Sequence, residues 1–416
     1  MKTELLTVGL FLFAACDVLV GCDGAPTEDS AEVAVSAEVD GELDTLVAKA
    51  VPGRHLVVPG GDVRVMPGAK EAFEQVRSLV QSKYVEGPLP EDVLWSGATE
   101  GMLARLVQLP AHPVNALLDP RELAELEAGT KGSIVGVGVA IEMVADVVVI
   151  REVIPGSPAA KAELQGGDRI LGVDGTRLRG MTLMQVVDRI RGDAGSEVSL
   201  FVQRDTEEWN EGLERGAVKF ETVKAELLEG GVGLLKITSF AKQTAEEARA
   251  HLETMSEQGM TSLVLDFRNC PGGLLDTAID TASLLLPPGK DVVVLERRDA
   301  QDDVRRSEGT TPWQGIKTIS MVGPHTASGA EIVVEALMAA DRTVVIGEET
   351  LGKATVESIH ELQNGWALKL SISRFHAPGS DRAVGEGIVP DIAVSAPHKD
   401  GRDVQLDAAR KMLTAG

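Results

Sequence analysis

The sequence predicts a multidomain protein of mixed α+β and α/β class: a helical N-terminal region, a small β-rich domain and a larger α/β core. Three observations predict it. The roughly 350 residues after Met66 are too many for one ordinary hydrophobic core. Phe73, Val76, Leu79 and Val80 recur at the helical period with charged residues between them. Leu263-Val264-Leu265-Asp266-Phe267 is the near-continuous apolar run of a strand buried on both faces.

Taken in order, residues 1–22 read as an export signal. Lys2 precedes an apolar run from Leu5 to Ala15, too short for a comfortable membrane span. Cys16, after Phe-Ala-Ala, and Cys22, after Leu-Val-Gly, both stand in lipobox-like settings. The second fits better but places Asp17 inside the apolar stretch, so the choice between them stays open, as does an ordinary cleaved signal. Residues 23–66 read as an acidic tether with one short hairpin near Leu56 to Val65. The formal charge of −24 disfavours binding to nucleic acid or anionic lipid. Residues 67–131 read as helical, with His112 in a loop.

Residues 132–206 form the β-rich domain. Val135-Gly136-Val137-Gly138-Val139 is a glycine-punctuated loop entering a strand. Such glycines let backbone N–H groups converge on a peptide carboxylate, and the strand edge can pair with an extended peptide. The run Pro155-Gly156-Ser157-Pro158-Ala159-Ala160-Lys161-Ala162, then Gly166-Gly167-Asp168-Arg169-Ile170 and Val173-Asp174-Gly175, resembles a PDZ domain. That resemblance makes Met181 to Arg191 the helix beside the groove, with Leu183 and Val187 as pocket candidates. Where PDZ domains usually carry glycine after Ala162, this chain has Glu163. Ordinary core packing explains the pocket candidates nearly as well.

Residues 207–396 read as the α/β core, with a strand from Val232 to Ile237 and a helix from Thr244 to Met255. Residues 397–416 hold a terminal helix from Asp403 to Leu413, with Asp403 as its N-cap. The core's focus is Gly323 to Glu357. Ser328 lies among small residues at the start of an apolar helical segment, where free backbone N–H groups suit a developing oxyanion. Lys353 follows a β-rich run, Thr343 to Ile346, and a turn. A serine nucleophile needs a partner to take its proton, and a neutral amine can do so. An ordinary lysine, near ~10.4, is charged at neutral pH and needs a dry setting to lose that charge. On composition alone, a capping serine and a surface lysine explain the stretch more simply.

The core stretch also resembles the carboxyl-terminal processing peptidases, or tail-specific proteases. Thr326-Ala327-Ser328-Gly329-Ala330-Glu331-Ile332 matches their S-A-S-A-S-E-I, and Gly347 to Glu357 matches G-E-x-T-x-G-K-G-x-V-Q. Arg268-Asn269-Cys270-Pro271-Gly272-Gly273-Leu274-Leu275 resembles their R-N-N-P-G-G-L-L, and the likeness runs from about residue 67 to 395. It implies a crotonase-like, ClpP-related protease core, Ser328 as nucleophile and Lys353 as base. It also implies an oxyanion hole from Gly329 with Gly272 or Gly273. Cys270, where relatives often have Asn, reads as a buried structural thiol. Ala339 replaces a family aspartate.

Glu357 stands where relatives carry a glutamine that orients the lysine. A carboxylate there favours the charged ammonium. Glu357 could stay protonated, move activity to higher pH, or leave the enzyme weak, and the shift to higher pH is the expected outcome. The reading is an exported, lipid-anchored serine endopeptidase acting on proteins with exposed C-terminal tails. The PDZ domain would take the tail or gate the site. No cofactor or metal is expected, since the 7 histidines lack ligand spacing. The rival reading is a catalytically silent peptide-binding scaffold, favoured by Glu357.

Overall fold

The computed structural model describes residues 68–106, 115–144, 146–380, 382, 385–395 and 402–414. The export signal, Cys16, Cys22, the tether with its hairpin, and His112 lie outside the described residues. Among the described residues, no helix is long and apolar enough to cross a membrane.

Residues 68–106 form a unit of their own. Two helices, Ala69–Lys83 and Glu91–Leu103, are joined by Arg77, which pairs with Glu91 at 2.9 Å and lies over the Trp95 ring. Neither helix has a buried residue. The helical region expected over 67–131 does not continue unbroken. Ala116–Leu118 is a strand that pairs with Ala367–His376 far along the chain, a long-range partner no local pattern announces. The helix Pro120–Thr130 follows it, started by a capping box between Asp119 and Glu122.

The PDZ-like domain has the strand order Val139–Val144, Val147–Val153, Arg169–Val173, Glu197–Arg204, Glu207–Glu214. Val139–Val144 is therefore an edge strand. The helix Leu183–Ile190, capped by Thr182 and Gln185, is shorter than the sequence suggests at both ends. Glu163 takes a left-handed φ of 59°, so the turn where relatives use glycine is kept at some backbone cost. Arg204 grips Asp168 with two hydrogen bonds, at 2.6 and 2.7 Å, and also donates to the Glu163 carbonyl.

The core is built on a six-stranded sheet in the order Val223–Leu228, Val232–Ile237, Ser262–Asp266, Lys317–Val322, Thr343–Gly347, Ile392–Ala393. All neighbours after the first pair are parallel. Alternation along the strands feeds two apolar layers. Leu263 and Leu265 pack under the helices Thr244–Glu257, Leu275–Ser283 and Gly329–Ala339, while Val264 meets Ala409 of the helix Val404–Thr414. Asp403 caps that last helix through the N–H of Leu406, as the sequence suggests. Arg268 bridges Asp266, at the end of its strand, to Asp403. A second, antiparallel sheet places Ala367–His376 between Thr355–Glu361 on one side and Ala116–Leu118 and Asp291–Arg297 on the other.

Candidate active site

Three loops leave the carboxyl ends of three adjacent parallel strands, which is where open α/β sheets place their sites. They run from Asp266 to the glycine pair Gly272-Gly273, from Val322 to Ser328, and from Gly347 to Lys353. Backbone hydrogen bonds tie them together: Ala327 N–H donates to the Cys270 carbonyl and Leu351 N–H to the Thr326 carbonyl, each at 3.0 Å. Residues 25 apart in sequence thus meet because their strands are neighbours.

Ser328 is the first residue before the helix Gly329–Ala339 and takes φ 55°, ψ −119°, a conformation non-glycine residues rarely hold. The residue is fully buried, and its Oγ has no hydrogen-bond partner among the described residues. Gly272 packs directly on it: a Cβ added there would lie 2.7 Å from Ser328 Cβ and 2.8 Å from the Gly329 nitrogen. One added at Gly273 would meet the Phe240 carbonyl oxygen at 2.3 Å. The loop therefore needs both glycines. The Gly272 N–H is turned to the Cys270 thiol, whereas those of Gly273 and Gly329 donate to no atom among the described residues. Burial pushes the Cys270 thiol up to about 12, with Asp266 adding to the effect against the Gly272 N–H, so it stays protonated and structural.

Lys353, 4 % exposed, donates from Nζ to Glu357 Oε2 at 2.7 Å, and Glu357 is fully buried. The other carboxylate oxygen of Glu357 accepts from Thr355 Oγ1 at 2.7 Å. The lysine is buried rather than a surface residue, and Glu357 touches it directly.

Glu331 is a residue whose role the sequence did not announce. Its Oε2 accepts from the N–H of Ser328, at 2.8 Å, and from the N–H of Lys353, at 2.9 Å. A single oxygen atom thus makes the two backbones neighbours. Its Oε1 accepts from Thr350 Oγ1 and Gly352 N–H, and Arg382 closes the cluster from the side while holding Glu335. Burial pushes the Glu331 carboxyl up, against the pull of Arg382 and of its N–H and O–H donors. In sequence Glu331 falls within the matched S-A-S-A-S-E-I run but is given no role. Its donors on Thr350, Gly352 and Lys353 lie 19, 21 and 22 residues downstream, beyond the reach of any local pattern.

In the PDZ-like domain, Gly136, Val137, Gly138, Val187 and Arg191 line a narrow groove with Val139 and Ile141 of the edge strand. Val135 and Leu183 do not line it. Val135 lies on the strand Ser133–Gly136, which pairs with Gly216–Lys219, and faces a different cavity bounded by Pro120 and Glu125. Leu183 is buried in the first turn of its helix. Among the described residues, no group of three or more His, Cys, Asp or Glu is placed to hold a metal ion.

Comparison with known proteins fits this arrangement. Residues 231–394 match the model of peptidase family S41, and residues 149–204 match a PDZ domain. The carboxyl-terminal-processing protease of Synechocystis sp. is 31% identical over 352 residues, covering 81% of each chain. The carboxy-terminal processing protease CtpA of Bacillus subtilis is 29% identical over 332 residues, 79% of this chain and 68% of that one. Among solved structures, a photosystem II D1 C-terminal processing protease matches with a TM-score of 0.50 at 26% identity, over 82% of this chain and 90% of that one. An S41 protease described as putative, from Bacteroides fragilis, shares the fold with a TM-score of 0.54 at 17% identity, covering 86% and 99%.

Proposed function

The chain belongs to peptidase family S41, the carboxyl-terminal processing serine peptidases, and from that premise we propose that it cuts proteins near exposed C-terminal tails with a Ser328–Lys353 dyad. In this reading the Ser328 hydroxyl attacks the scissile carbonyl as its proton passes to the Lys353 amine. The N–H groups of Gly329 and Gly273 stabilise the oxyanion, and Gly273 is preferred over Gly272 because its N–H is not spent on Cys270. The lysine returns the proton to the leaving amine, and water then releases the acyl group. The PDZ groove, open along an edge strand, takes the tail by strand addition. Export and lipid anchoring at Cys22 or Cys16 in the cell envelope complete the reading, supported by the apolar run and the lipobox-like residues alone.

The observation that carries the proposal is the Glu331 oxygen shared by the Ser328 and Lys353 N–H groups, beside a buried Ser328 hydroxyl with no hydrogen-bond partner among the described residues. A fluorophosphonate probe should label the wild-type protein at Ser328. Ser328→Ala should lose both the label and, by about 10⁴-fold or more, cleavage of an unstructured substrate with an apolar C-terminus. Equal cleavage by the two proteins would end this reading.

The 2.7 Å contact of Lys353 with Glu357 favours a second reading, a peptide-binding protein whose amine is locked as an ammonium. Tail binding by wild type, with no cleavage and no labelling, would select it.

A further inference from the structure

The Lys353–Glu357 contact poses a difficulty for a serine–lysine peptidase, because a base must begin uncharged. A second lysine bears on it. Lys369, on the central strand of the antiparallel sheet, is 3 % exposed, and its side chain makes no hydrogen bond or ion pair among the described residues. A lysine so largely withdrawn from water, with no partner at hydrogen-bond distance, is costly to keep charged and calls for a reason. The strand register supplies its neighbours. Glu357 lies opposite Ser371 and Ile359 opposite Lys369, so Glu357 and Lys369 are diagonal neighbours on one face, about 7–8 Å apart at the backbone and within reach of long side chains. The charged groups around Lys369 are Lys353 before the adjacent strand, Glu357 on it, and Glu122 on the helix Pro120–Thr130.

We propose that Lys369 is a positioning residue for the catalytic amine: it serves as the counter-cation of Glu357, so that Lys353 holds the same carboxylate as an uncharged amine. This rests on the Ser328–Lys353 reading. In a site shielded from water, an unbalanced charge is costly. With Glu357 ionised, two ammonium groups leave a net positive charge buried, whereas one ammonium leaves none, so burial favours a single proton between the two amines. If Lys353 keeps that proton, no base is available. If Lys369 keeps it, Lys353 can accept the Ser328 hydroxyl proton directly and pass it on to the leaving amine. Burial, and then repulsion from Lys353, bring Lys369 below the ordinary lysine value, while Glu357 and Glu122 pull towards the charged form that the counter-cation role needs. Where a relative has neutral glutamine at the position of Glu357, no such counter-cation is required.

The test is kcat/KM against pH for the full chain on an unstructured substrate with an apolar C-terminus, with thermal unfolding measured alongside. Lys369→Met should lower kcat/KM near neutral pH by about 10²-fold and move its rising limb to higher pH, since Lys353 then forms an ordinary ion pair with Glu357. Lys369→Arg, which keeps the charge, should stay within about tenfold of wild type. The double variant Lys369→Met/Glu357→Gln should recover most of the loss and bring the limb back, a rescue that a purely structural role for Lys369 does not produce. A Lys369→Met profile that coincides with wild type would overturn the proposal, as would a folded double variant no better than Lys369→Met. Ser328→Ala separates the two levels: wild-type cleavage no greater than that of this variant sinks the protease reading as well, whereas clear wild-type cleavage with an unmoved Lys369→Met profile sinks only the counter-cation.

Discussion

Two buried carboxylates in this chain each meet a basic side chain at hydrogen-bond distance, and the two bases differ in chemistry. In the PDZ domain Asp168 is gripped by the Arg204 guanidinium and by the N–H of Gln165. Burial acts to raise Asp168, but Arg204 and that N–H outweigh it and leave the carboxyl below the usual aspartate value. Arginine cannot give up its proton, so this pair has one state and serves as a staple. In the core Glu357 meets Lys353, whose amine, unlike a guanidinium, is the kind of group that serves as a base, and Lys369 lies diagonally across the strand pair. The first arrangement fixes a turn, and the second is the one to which we assign proton transfer. The difference lies in the chemistry of the donor, since the distances are nearly alike.

Exchanging the donors separates the two arrangements most clearly. Lys353→Arg should turn the catalytic pair into a staple, with cleavage falling by about 10⁴-fold while the protein unfolds near its wild-type temperature. Retained cleavage would show that Lys353 is not the base. A smaller effect is expected at the staple itself. Asp168→Asn should lower the unfolding midpoint of the PDZ domain at neutral pH by about 8 °C, with little change in the chemical step. The depressed carboxyl contributes stability that is present above the unfolded-state value, about 3.9, and is lost as pH falls through the lower folded value. Wild type should therefore lose stability across that acid window, and the asparagine variant should not. Smallest of all, Arg204→Lys should cost about 4 °C and leave cleavage unchanged, because a lysine keeps the charge but not the two-pronged grip.

The local run around Ser328 and Lys353 favours a capping serine and a surface lysine, and only the family resemblance singles the two out, whereas the parallel strands are legible as apolar stretches of strand length. Caps at Thr182, Asp403 and Asp119 are likewise set by residues three apart. What stayed hidden depends on contacts between distant segments. Glu331 looks like any acid in a first helical turn until Thr350, Gly352 and Lys353 are folded onto it. Lys369 looks like an outward strand residue until the hairpin register sets it beside Glu357. The glycine-punctuated loop suggests Val135 for the groove and the PDZ resemblance suggests Leu183, whereas Val135 belongs to a different strand pairing and Leu183 to the buried start of its helix.

The bridge from Asp266 through Arg268 to Asp403, which lies 135 positions beyond Arg268, reaches the residues that lead into the glycine pair beside Ser328. In the proposed mechanism, prying the helix Val404–Thr414 from its seat, by a bulky fusion or by neutralising Asp403, would therefore slacken the cradle for the tetrahedral intermediate while touching none of the reacting atoms. On that reading the helix would act as a tensioner for catalysis.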